Sequence, residues 1–148
     1  MDDPAAVPTH AEISEAVGDQ MIMGPLPIAD AAAVCGVSAH TLRYYEREGL
    51  LDVPRDGAGR RVFDAEALRR AIFLTRMRIS GMPIATLARL AGLIDAGPET
   101  IPERRELLAA HRNTLRRQIA ELQLCLAVTE YKIATDQIEA TDTPRSPR

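Results

Sequence analysis

The sequence predicts a mainly α-helical protein: a head of four helices with a short β-hairpin, followed by one long helix suited to pairing with a second copy of itself. Three observations carry this. Apolar residues recur at helical spacing in four short segments separated by Gly, Pro and Asp. Asp52–Phe63 is instead rich in Gly and Asp between two short extended arms, as a hairpin is. From Glu103 onward neither Gly nor Pro occurs before Pro144, so a helix as far as Glu139 would run unbroken for roughly 57 Å at about 1.5 Å per residue.

Composition narrows the classes of function. A chain of 148 residues holds one ordinary domain, or a small domain with a long appendage. The 46% of hydrophobic residues supports a core, but with 3% aromatics that core is built from Leu, Ile, Val, Ala and Met. A formal charge of -3 argues, over the whole chain, against a polyanionic partner. Its distribution reverses the argument: residues 25–93 hold ten arginines against seven acids, whereas residues 1–24 hold five acids and no Lys or Arg. Cys35 and Cys125 lie too far apart in sequence to suggest a disulfide framework and suit a reducing cytoplasm. No apolar run approaches the roughly 20 residues of a membrane helix, and the N-terminus lacks the basic and apolar regions of a signal peptide. A cytoplasmic protein without a membrane partner is expected.

Taken in order, residues 1–24 mix Pro4, Pro8, Gly18 and acids with weak periodicity and predict a disordered acidic leader. The head spans 25–95. Its first helix, Ile28 to about Cys35, would bury Ile28, Ala31, Ala32 and Cys35; Gly36 ends it, and Ser38 caps a second helix, His40–Glu48. There Leu42, Tyr45 and Gly49 fall on the inner side, leaving Thr41, Arg43, Tyr44 and Arg47 outward. Two short helices joined by a tight turn, the second with a basic outer face, make a helix-turn-helix, and the hairpin after it is a wing. Asp64 caps a third helix with Leu68, Ile72, Thr75 and Ile79 inward and Arg69, Arg70 and Arg76 outward. Gly81 stops it, and Pro83 opens a fourth, Ile84–Leu93, packed through Ile84, Leu87, Ala88 and Ala91.

The long helix occupies 96–140, with capping-box spacing from Thr100 to Glu103. In it Leu108, Arg112, Leu115, Ile119, Leu122, Leu126, Thr129 and Ile133 alternate spacings of four and three, a heptad seam. A head of about 70 residues offers one such helix too little surface to cover that stripe, which makes the same helix of a second copy the simplest partner. The dimerisation residues are then Leu108, Leu115, Ile119, Leu122, Leu126, Thr129 and Ile133; folding back over the head is the alternative. Residues 141–148, with Pro144 and Pro147, predict a disordered tail.

The ordered series Val34–Leu51, then Gly59–Asp64 (Gly-Arg-Arg-Val-Phe-Asp), then Ser80–Ile84 (Ser-Gly-Met-Pro-Ile) resembles the MerR family of bacterial transcriptional regulators. The resemblance implies a winged helix-turn-helix head and a homodimer joined by an antiparallel coiled coil. Each copy would place its recognition helix in one of two successive major grooves of double-stranded promoter DNA. It further implies that the protein bends and untwists an overlong promoter spacer, activating or repressing in response to a signal, so that RNA polymerase holoenzyme engages both promoter elements. Carried over by position, Arg43 and Tyr44 match recognition-helix contacts, and Tyr45 matches a structural position whose hydroxyl reaches phosphate. Arg60 and Arg61 match wing residues that grip phosphates, although Arg60 stands where many relatives have Tyr. Phe63 also replaces a usual Tyr and loses its hydroxyl. With Thr41 and Arg55 these complete the expected DNA-binding set.

An architectural or excisionase-like protein, binding DNA without promoter activation, is the alternative. Metal-sensing relatives carry cysteines near the start of the long helix and after its end, where this chain has none, and His10, His40 and His111 are scattered. No metal and no cofactor is expected. No paired carboxylates, nucleophile motif or Gly-rich phosphate loop suggests an enzyme.

Overall fold

A computed structural model describes residues 8–17 and 25–142. Its elements are α1 (His10–Val17), β1 (Leu26–Pro27), α2 (Ile28–Cys35), α3 (Ala39–Arg47), β2 (Val62–Phe63), α4 (Ala65–Ile79), α5 (Ile84–Ala96), a 3-10 turn (Pro98–Thr100) and α6 (Ile101–Asp142). The chain divides into two compact units, residues 1–104 and 105–148.

The turn between α2 and α3 forms by the expected means. Gly36 takes the left-handed conformation at φ 69° and donates its amide to the carbonyls of Ala32 and Ala33, closing α2. Ser38 then accepts the Thr41 amide at 3.2 Å, satisfying one of the donors that open α3. Leu42 and Tyr45 point into the core at 1% and 3% exposure. Gly49, expected on the same inner side, is exposed. It lies beyond the helix end with φ 73°, where a left-handed residue turns the chain so that Leu50 and Leu51 drop into the core instead.

The wing is smaller than the expected hairpin. Its arms share one bridge, Arg55 with Arg61, and its tip is closed by the Asp56 carboxylate, which accepts the Ala58 and Arg60 amides at 2.9 Å each. The second arm continues as β2 and pairs antiparallel with β1, in register Leu26 to Phe63 and Pro27 to Val62. The first arm cannot extend the ladder, because Pro54 has no N–H to donate.

Asp64 caps α4 by accepting the Ala67 amide at 2.8 Å, and Leu68, Ile72 and Thr75 are buried as expected. Ile79 is not: it is 69% exposed, because α4 ends there and the stripe closes one turn earlier at Thr75. Arg70, expected on the outside, turns inward. It donates Nε to the Leu50 carbonyl at 2.8 Å and Nη2 to the Ala91 carbonyl at 3.3 Å, and it pairs with Asp95. Its fork of donors thereby serves two backbone carbonyls and a carboxylate, joining the segment after α3 to α5. Phe63, Leu42, Leu50, Leu68, Leu74, Met82, Leu87 and Leu90 are each less than 2% exposed and form the centre of the head.

Two ends of the chain differ from expectation. Part of the acidic leader is helical: Thr9 donates N–H and Oγ1 to the Glu12 carboxylate at 2.7 Å each while Glu12 donates its amide to Thr9 Oγ1 at 3.3 Å, a reciprocal cap that opens α1. That helix packs against α4. Residues 1–7 and 18–24 of the leader, and 143–148 of the tail, lie outside the described residues; α6 itself runs through Asp142. The capping box expected at Thr100 and Glu103 is replaced by other partners. Thr100 donates its hydroxyl to the Leu93 and Gly97 carbonyls, and Glu103 pairs with Arg89.

The 42 residues of α6 extend for about 63 Å. Along it Leu108, Ile119, Leu122, Leu126, Thr129 and Ile133 are exposed and Leu115 is half-buried. Among the described residues no helix is long and apolar enough to cross a membrane.

Candidate nucleic-acid interface

Successive residues of a helix point about 100° apart, so burying Leu42 and Tyr45 commits Arg43, Tyr44 and Arg47 to one outer face of α3. Arg43 is exposed and Tyr44 half-buried. The Arg47 guanidinium lies 6.0 Å from the centre of the Tyr44 ring, at the outer reach of a cation–π contact. The Tyr44 ring in turn leans on Tyr45, with centroids 6.3 Å apart at an interplanar angle of 47°. Thr41 begins this face and shares a hydrogen bond with the Ser38 cap, Oγ to Oγ1, at 3.1 Å. Arg43 and Arg47 form no ion pair among the described residues.

The wing arginines are arranged differently. Arg55 donates Nη2 to Glu46 Oε1 at 3.0 Å. Arg61 sits side-on to the same carboxylate, with Nη2 at 3.2 Å from Oε1 and Nε at 3.3 Å from each oxygen. Glu46 belongs to α3, so one carboxylate ties both arms of the wing to that helix. Arg60 pairs through Nε with Asp56 at 3.1 Å. Hydrogen bonds from the Arg60 backbone, then from Ala58, hold the Asp56 carboxyl below the ordinary range. Three wing cations thus face two anions and leave one net positive charge, whereas the outer face of α3 keeps both of its own.

Two residues of the expected set fall outside this surface. Tyr45 is buried under α3, and burial pushes its phenol above the ordinary value. Phe63 is 1% exposed because β2 turns it into the core. The structure brings Thr41, Arg43, Tyr44, Arg55, Arg60 and Arg61 together on α3 and the adjoining wing and removes Tyr45 and Phe63 to the interior. Sequence reasoning missed Glu46 and Asp56. The available signal was an acid following the Tyr-Tyr pair in a segment otherwise charged by arginines, with Arg55 and Arg61 at equal distances from the wing tip.

Burial pushes the half-buried Cys35 thiol up to about 11, so it is protonated at neutral pH and a poor nucleophile. Among the described residues no three His, Cys, Asp or Glu side chains gather as metal ligands would.

The family model "MerR HTH family regulatory protein" matches residues 26–92, the span from β1 through most of α5. An HTH-type transcriptional regulator of Haemophilus influenzae is 36% identical over 127 residues, covering 80% of this chain and 94% of its own. The chain belongs to the MerR family. Solved MerR family structures agree along the same length. HiNmlR, described as a MerR family regulator lacking the sensor domain and bound to promoter DNA, superposes with a TM-score of 0.71 at 36% identity, covering 80% of this chain and 94% of its own. A transcriptional regulator of the MerR family from Listeria monocytogenes gives 0.69 at 35% identity, covering 82% of this chain and 99% of its own. As a MerR family member the protein is a DNA-binding regulator of transcription and not an enzyme.

Proposed function

We propose that this MerR regulator acts in the cytoplasm as a homodimer on promoter DNA. Its copies associate through the seam of α6 in an antiparallel coiled coil. Each copy lays Arg43, Tyr44 and Thr41 against a major groove while the wing, through Arg55, Arg60 and Arg61, meets the flanking phosphates. The observation that carries the reading is a division of labour within α3: its apolar positions are spent on the core, and Arg43, Tyr44 and Arg47 are left together on the outside without an anionic partner among the described residues. Such a face attracts a polyanion, and its aromatic and arginine donors suit base edges and phosphate alike. That HiNmlR, matched over 94% of its own chain, is bound to promoter DNA supports it.

The proposed mechanism is indirect readout. Two recognition helices fixed by one dimer demand a spacing and twist that the spacer does not have at rest; protein–phosphate contacts offset a distortion costing roughly 1–10 kcal/mol. The distorted spacer then presents both promoter elements to RNA polymerase holoenzyme. The test is a footprint and a reconstituted transcription assay on DNA upstream of the protein's own gene. Protection of an inverted repeat centred in a promoter spacer, with a change in transcript level on adding protein, is expected. Protection without any change in transcription would favour an architectural role, and no protection would sink the reading.

A further inference from the structure

We propose that Glu46 is a specificity-determining residue that competes with DNA phosphates for Arg55 and Arg61, so that the wing yields its charge only to phosphates in the register of the operator. This rests on reading α3 and the wing as the DNA surface. Arg55 and Arg61 are bridged partners on opposite arms of the wing. Like charges placed opposite one another repel, and Glu46 lies between them, with 22% of its side chain exposed. Being partly shielded, it holds them more firmly than a carboxylate in open water would. Charge-assisted bonds of this kind are about twice as strong as neutral ones.

Carboxylate and phosphate are the two anions a planar guanidinium fits best, and the same donors cannot fully serve both. A phosphate loosely placed along arbitrary DNA, still hydrated, displaces Glu46 poorly. One held in register by the α3 contacts displaces it well, because proximity is supplied in advance. Arg43 and Arg47, held by no acid among the described residues, attract any duplex. The recognition helix therefore carries general attraction as well as base contact, and the Glu46-held wing carries discrimination at the backbone.

The test compares binding of the full-length protein, across salt concentrations, to its footprinted operator duplex and to a permuted duplex of equal length and composition. Glu46→Gln should raise affinity for the permuted duplex about tenfold and steepen its salt slope by roughly one to two, near 0.9 per phosphate engaged. Operator affinity should change less than about threefold, so the ratio between the two collapses. Glu46→Asp, which keeps the charge, should restore most of that ratio. Parallel loss of both affinities with unchanged slopes would mean that Glu46 only supports the fold, and would overturn the proposal.

A second variant does not depend on the folding of Glu46→Gln. The Arg55 side chain is 44% exposed, and Arg55→Gln should weaken operator binding while leaving the permuted-duplex slope as in the wild type. Flattening of that slope by about one in the wild-type background would also overturn the proposal. Wild-type protein that binds neither duplex in a salt-dependent way would instead sink the DNA-surface reading, which separates the two failures.

Discussion

The head and the long helix use the same apolar residues in opposite ways. In the head Leu42, Leu68, Leu74, Leu87 and Leu90 are each about 1% exposed or less, whereas on α6 Ile119, Leu122, Leu126 and Ile133 are 54%, 68%, 58% and 55% exposed. A head that covers its own leucines is a folding unit. A helix that leaves an aligned row of them in water is, on the proposed function, one half of an interface, because each uncovered leucine forgoes roughly 1.5–3 kcal/mol of burial. One chain thus contains a finished core and an unfinished one, and the two should respond differently to substitution.

The largest expected effect lies on the helix. Leu122→Glu places a charge in the seam twice per dimer; sedimentation should show the monomer, and operator affinity should fall roughly 100-fold or more as the linkage of two heads is lost. The thermal transition of the head should stay. In the head the consequences invert: Leu68→Ala should destabilise by about 2–5 kcal/mol in a denaturant titration while leaving the folded protein's mass that of the wild type. If either variant shows the other's signature, the contrast between the regions is wrong.

Smaller effects sharpen the picture of the head. Arg43→Ala, exposed on α3, should leave both stability and mass alone, weaken operator binding about tenfold and flatten its salt slope by about one, read by fluorescence anisotropy. Ser38→Ala removes the cap of α3 and should cost about 1 kcal/mol of stability. The smallest effect concerns pH. Arg70 holds the Asp95 carboxyl below its ordinary value, chiefly by hydrogen bonding. The pair's contribution is therefore complete above the unfolded pKa of about 4 and lost as pH falls through the lower folded value. Since Asp95 is largely exposed, Asp95→Asn should trim only a few tenths of a kcal/mol at neutral pH. Acid titration of its melting temperature should run correspondingly flatter.

Much of this was legible because it depends on local rules. Gly36, Ser38 and Asp64 act on neighbours within a few residues, so the boundaries of α2, α3 and α4 followed from the order of residues alone. The match of Arg43 and Tyr44 to the outer face of α3 followed from the burial of Leu42 and Tyr45. What was missed depends on partners distant in sequence. Arg70 reads as a surface arginine until Leu50, Ala91 and Asp95 converge on it, and Arg61 reads as free until α3 brings Glu46 beside it, fifteen positions away in the chain. The pairing of β2 with β1 joins segments on either side of the helix-turn-helix, which no hairpin rule anticipates. Leader helix α1 is a different case: Thr9 and Glu12 form a capping box, a local signal that the expectation of a disordered leader passed over. Tyr45 and Phe63 entered the expected DNA-binding set through the family resemblance, and both are buried in the head.

The central claim is that α6 is half of an interface while the head is complete in itself, and sedimentation equilibrium of the full-length protein at micromolar concentration tests it most directly. The account predicts a single species of twice the 16.2 kDa chain mass, reduced to one chain mass by Leu122→Glu with the head's unfolding transition unchanged. A wild-type protein that sediments as a monomer, with its α6 leucines still in water, would contradict it.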